Sequence, residues 1–167
     1  MEITKPRRED YPEIVGFVNE ADKKFLDIYN KKEAEIMDIG SETAEGLIEG
    51  EKSREYICLK DNDKIVSFAS FRLKNPQTVW VSLLYTRLDC QGKGYGATLT
   101  REIERIAKKR GAKVVVLETE PKAKWAANFY FKNGYKILSE NNLKKSPFNK
   151  ALDKPSAPNR HILGKVI

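Results

Sequence analysis

Residues 55 to 88 hold three runs of strand-forming residues with almost nothing between them. "EYICLK" (55–60) and "KIVSFASFRL" (64–73) are separated by "DND" (61–63), and "NPQ" (75–77) leads into "TVWVSLLYTRL" (78–88). Connections that short join antiparallel neighbours, so the spacing predicts a meander. The next stretch makes the opposite demand. "CQGKGYGATL" (90–99) opens a helical pattern, and "KVVVLETE" (113–120) is a β-branched run of the kind a buried strand shows. A strand, a crossover helix and a further strand form a right-handed parallel unit. The chain must therefore build a mixed sheet, antiparallel first and parallel in its middle. The fold class is α/β.

The flanks complete the order. Residues 2–8 read as an opening strand. Asp10 is placed as an N-cap with Glu13 three residues on, and Tyr11, Ile14, Val15, Val18, Ala21 and Phe25 follow at helical spacing. A second helix is expected over 32–49, with Ile36, Ala44, Leu47 and Ile48 inward. The helix over 94–110 carries Leu99, Ile103, Ile106 and Ala107 as its apolar stripe and stops at Gly111. Pro121 ends the β-branched run. A helix over 122–133 stops at Gly134, a strand covers 135–140, and 141–158 reads as a loop because it has no period and three prolines. "NRHILGKVI" closes the chain as a strand. The expectation is one domain over 1–167, with a seven-stranded mixed sheet and four helices.

Composition narrows the functional classes. A chain of 167 residues suits one core. It has no apolar run of about 18 residues, so no membrane span is expected. "MEITKPRRED" lacks the apolar core of a signal peptide. Two cysteines, Cys58 and Cys90, make no disulfide framework, and with one histidine, His161, they make no zinc site. These features predict a cytoplasmic protein without a metal. The net charge of +7 permits nucleic acid as a partner, but the aromatic–basic signature of RNA-binding modules is missing, so nucleic acid is not expected.

The glycines of "CQGKGYGATL" carry the strongest chemical signal. Amides at a helix N-terminus converge, the helix dipole adds partial positive charge, and glycine lets an anion approach the backbone. A strand, a glycine-rich turn and a helix thus form an anion cradle. A triphosphate loop needs G-x-x-x-x-G-K-[ST], which the chain lacks. Gly92, Gly94 and Ala97 satisfy the dinucleotide pattern locally, with Glu118 about twenty residues further on. That reading fails on context. The loop follows a meander rather than the first strand of a long parallel sheet, and only one more helix comes after it.

A third reading fits more of the chain. Gln91-Gly92-Lys93-Gly94-Tyr95-Gly96 matches Q/R-x-x-G-x-G/A, and Phe129-Tyr130-Phe131-Lys132-Asn133-Gly134-Tyr135 is like L-Y-x-K-x-G-F. With the order of elements, these motifs make the chain resemble the GNAT family of N-acetyltransferases. Ala123, Ser67 and Leu88 depart from it, standing where members often have Asn, Gly and Pro. The resemblance implies acetyl-CoA as acyl donor. Its pyrophosphate would lie on the backbone of Gln91, Gly92, Lys93, Gly94, Tyr95, Gly96 and Ala97, and Lys132 would meet a phosphate. Its thioester arm would pass between two splayed parallel strands, bonded near Tyr85 and Thr86. Tyr130 would be the general acid. A base must deprotonate the amine, and Glu118 in "LET" stands where relatives place one; Glu120 is the alternative. Trp125, Phe129 and Phe131 are assigned to core packing, as is Cys90.

The expected acceptor is an amine on a small molecule or a protein. From Glu33 to Glu51 there are seven carboxylates and no Lys or Arg, which suits a cationic acceptor or simply a solvated acidic face. The lysine-rich 141–158 stretch would instead suit an acidic one. Pairing of two copies is left open. The competing function on the same fold is a non-catalytic acyl-CoA-binding regulator.

Overall fold

The computed structural model describes residues 1–36, 39–139, 147–148 and 160–167. Its elements in chain order are β1 (Glu2–Thr4), α1 (Tyr11–Asp22), α2 (Lys31–Ile36), α3 (Ala44–Gly50), β2 (Glu55–Asp61), β3 (Lys64–Asn75), β4 (Thr78–Thr86), α4 (Tyr95–Lys109), β5 (Val114–Thr119), α5 (Lys124–Lys132), β6 (Lys136–Ile137) and β7 (His161–Val166). The sheet runs β1-β2-β3-β4-β5-β7-β6. β4 and β5 are its parallel pair, in register from Thr78↔Val114 to Val81↔Leu117. The mixed seven-stranded α/β architecture expected from the turn lengths is present. By compactness the chain divides into two units, Met1–Ser70 with Leu83–Thr100, and Phe71–Ser82 with Arg101–Ile167.

The first unit is organised around α1. Tyr11, Ile14, Phe17 and Val18 pack with Leu47 of α3, Tyr56 and Cys58 of β2, and Ile65 and Phe68 of β3. Each fully buried side chain of this size is worth about 1.5–3 kcal/mol. The β2–β3 turn follows its residues closely. Asn62 and Asp63 have φ of +48° and +61°, the left-handed pair of a type I′ hairpin turn that Asn and Asp tolerate.

In the second unit, β5 pairs antiparallel with β7 from Val114↔Val166 to Thr119↔His161. Directly opposed residues share a face. One face carries Val114, Val116, Ile162 and Leu138, with Trp80 and Phe148 packed against them. The other carries Lys165, whose Nζ lies 5.7 Å from the centre of the Tyr135 ring and 2.8 and 2.9 Å from the two carboxylate oxygens of Glu104 in α4.

Several local expectations need correction. The segment read as one helix over 32–49 holds α2 and α3 as separate short helices. Gly40 between them sits at φ +72°, and Thr43 is extended as the cap of α3, its Oγ1 accepting from the Gly46 amide at 2.9 Å. Ile36 and Ile48, expected inward, are 74 % and 37 % exposed. Asp10 stands at the N-cap position of α1, as expected, but its side chain makes no capping bond to that helix. It closes a short 3₁₀ turn, Arg8–Asp10, and its carboxylate accepts from the Arg7 amide at 2.7 Å. The opening strand stops at Thr4, and the strand expected over 135–140 is two residues long. Phe131, assigned to the core, is 42 % exposed. The loop reading of 141–158 lies outside the described residues apart from Pro147 and Phe148.

Candidate active site

The glycine loop belongs to the first unit. After β4 the chain makes one 3₁₀ turn (Leu88–Cys90), passes through extended Gln91, and enters α4 at Tyr95. Gly92 and Gly94 have φ of +80° and +85°, a conformation that costs a residue with a Cβ about 1–2 kcal/mol. A Cβ built at either position would meet nothing within 4 Å. The glycines thus answer a conformational demand and leave open space beside the backbone. The first helical bond of α4 runs from the Thr98 amide to the Gly94 carbonyl, at 3.0 Å. The amides of Tyr95, Gly96 and Ala97 therefore lie ahead of the helical ladder, and Gly94 has no side chain to cap them. These features suit a phosphate anion.

Side chains brace the loop from two sides. The Tyr95 hydroxyl donates to Asp61 Oδ2 at 2.5 Å, so its phenol is committed to the β2–β3 turn and only its backbone faces the cradle. That bond, with burial behind it, raises the Tyr95 pKa. Lys64 Nζ donates to Asp89 at 3.0 Å, and this bond, with a further one from Cys90, holds the Asp89 carboxyl at about 2. Gln91 Nε2 donates to the Thr86 carbonyl at 3.3 Å, tying the loop to the end of β4. Lys93 is exposed.

Tyr85 and Thr86 close β4. The Tyr85 hydroxyl donates to Asp22 Oδ1 at 2.6 Å, and the Tyr85 carbonyl accepts from Ser67 Oγ at 2.6 Å. β4 runs five residues past Val81, where its described register with β5 ends.

Glu118, Glu120, Tyr130 and Lys132 belong to the second unit. Glu118 is half-buried and opposes Ile162, so its side chain shares the face of Val116 and Trp80. Glu120 lies 3.9 Å from Arg160 Nε. Tyr130 is buried, and its ring meets Tyr135 edge-on at 5.5 Å, which places it with Lys165 on the other side of the sheet. Burial pushes its phenol well above the ordinary tyrosine value. Lys132 is exposed at the end of α5. The helix begins at Ala123, which is buried and supplies no capping side chain.

Sequence reading passed over Asp61, Asp22 and the bonding role of Ser67. Asp61 had a visible signal, since a carboxylate opens the "DND" turn. Asp22 had none beyond its place at a helix end, because its partner is 63 residues away.

No curated protein matches the chain. Solved structures similar to it include the PaiA N-acetyltransferase of Thermoplasma acidophilum in complex with coenzyme A, 20 % identical over 99 % of this chain and 98 % of that one, with a TM-score of 0.77. A GCN5-related N-acetyltransferase of Rhodopseudomonas palustris is 18 % identical over 99 % and 95 %, with a TM-score of 0.73. A GNAT family acetyltransferase of Elizabethkingia anophelis with acetyl-CoA bound is 19 % identical over 75 % and 84 %, with a TM-score of 0.58. These likenesses concern the fold. The profile of the acetyltransferase (GNAT) family matches residues 17–135, a span that includes the meander, the glycine loop, β5 and α5, and the chain belongs to that family.

Proposed function

We propose that the chain transfers an acetyl group from acetyl-CoA to a primary amine on a small molecule or a protein. The observation that carries this reading is the start of α4: two left-handed glycines, a Gly94 that offers no capping side chain, and three amides ahead of the ladder. The coenzyme A complexes of structurally similar proteins support the same donor.

The backbone from Gln91 to Ala97 would hold the pyrophosphate, with Lys132 reaching a phosphate. Bound acetyl-CoA supplies an activated acetyl thioester. The backbone of Tyr85 and Thr86 aligns it, and fixing donor and acceptor together can remove about 7–11 kcal/mol of the barrier. An alkylammonium, with a pKa of about 10, must lose a proton before it can attack. Glu118 takes that proton, directly or through a water molecule. It stands in "LET", where the family resemblance places a base, with Glu120 as the alternative. Tyr130 gives a proton to the departing sulfur. A tyrosine phenol, with an ordinary pKa of about 10, is protonated at neutral pH, as an acid requires. Base and acid on opposite sides of the sheet suit an amine entering from one side and a thiol leaving toward the other.

Free-thiol release with a panel of amines tests the reading. Glu118→Gln and Tyr130→Phe should each lower kcat by about 10²–10⁴-fold while coenzyme A affinity stays near wild type. Tight coenzyme A binding with no amine ever acetylated would instead favour the non-catalytic regulator.

A further inference from the structure

We infer that Ser67 is a positioning residue for the acyl donor, acting through the last two residues of β4. This rests on the reading that Tyr85 and Thr86 align the donor's arm. Ser67 lies in β3 and is fully buried. A buried hydroxyl must find partners or it is costly. Its Oγ lies 2.6 Å from the Tyr85 carbonyl oxygen and 2.9 Å from Thr86 Oγ1. The carbonyl can only accept, so the single Ser67 proton goes there. With that proton committed, the hydroxyl contact runs the other way, and Thr86 donates to Ser67.

The result is a chain from the Thr86 hydroxyl to the Ser67 hydroxyl to the Tyr85 carbonyl. It returns the Thr86 side chain to the carbonyl of the peptide that precedes it, and so fixes that peptide's tilt. The following peptide is held at both ends: the Thr86 carbonyl accepts from the Gln91 side chain of the loop, and the Arg87 amide donates to the Val66 carbonyl of β3 at 3.0 Å. Tyr85 is pinned a second time through its phenol, on Asp22. Two successive peptides at the end of β4 are thus held, the first by the Ser67 side chain and the second by the Gln91 side chain and the β3 backbone. Ser67 is fully buried and its side chain bonds to the end of β4, so it sets the geometry of binding.

The test uses Ser67→Ala, Thr86→Val and Thr86→Ser, with kcat and KM for acetyl-CoA and direct calorimetry of coenzyme A binding. Ser67→Ala and Thr86→Val should raise both KM for acetyl-CoA and Kd for coenzyme A about five- to tenfold. Thr86→Ser keeps the hydroxyl and should bind like wild type. If Ser67→Ala does not fold, the two Thr86 variants decide. Wild-type affinity in Ser67→Ala and Thr86→Val, beside a wild-type chain that binds coenzyme A, would overturn the inference and leave the acetyltransferase reading standing. A wild-type chain that binds no coenzyme A would overturn both.

Discussion

At the scale of single residues, Asp22 has the most exposed consequence in solution. Its carboxylate accepts from the Tyr85 hydroxyl at 2.6 Å and from the Gly40 amide at 3.3 Å. Burial raises its pKa, and the two hydrogen bonds only partly offset this. A carboxyl raised in the folded state favours folding below its unfolded pKa. That contribution is lost as pH climbs from about 4, the unfolded value, through the folded one. Asn at this position cannot ionise. The Tm of Asp22→Asn minus that of wild type should therefore rise between about pH 4 and pH 7. A difference that stays flat or falls would contradict the burial of the charge. Residue roles were unevenly legible. Gly92 and Gly94 announced themselves, because few other residues take a positive φ. Phe131 and Ile36 misled, since helical spacing marks an apolar position without saying whether a partner covers it.

At the scale of elements, the start of α4 joins local conformation to function. Gly94→Ala should lower Tm by about 2–8 °C, from about 1–2 kcal/mol of left-handed strain, and should weaken coenzyme A binding as well. Gly16 gives the contrasting control. It lies within α1 with nothing within 4 Å of an added Cβ, so Gly16→Ala should leave stability equal or higher, by up to about 1 kcal/mol, and leave binding alone. Calorimetric melting with and without ligand reads both variants; a neutral Gly94→Ala would mean that the loop does not need its left-handed turn. Element order came through in the sequence because turn lengths constrain strand direction. Element ends did not. The Asp10 side chain turns to the Arg7 amide instead of capping α1, and the 32–49 segment holds two short helices with Gly40 between them, a helix-breaking residue that a period count overlooks.

At the scale of the whole molecule, a crossover helix and an antiparallel meander leave few ways to arrange the sheet, and the strand order agrees with that constraint. The candidate site is legible for the same reason, since its cradle lies at a strand–glycine–helix junction. The bracing around it was hidden, because Ser67, Asp22 and Asp61 act through partners 18 to 63 residues away. The central claim is that this junction holds coenzyme A. Thermal unfolding with coenzyme A, acetyl-CoA or NAD tests it most directly. Coenzyme A or acetyl-CoA at one hundred times Kd should stabilise the protein by about 2.7 kcal/mol, raising Tm by about 5–11 °C. NAD should have no effect. Stabilisation by NAD and none by coenzyme A would contradict the account.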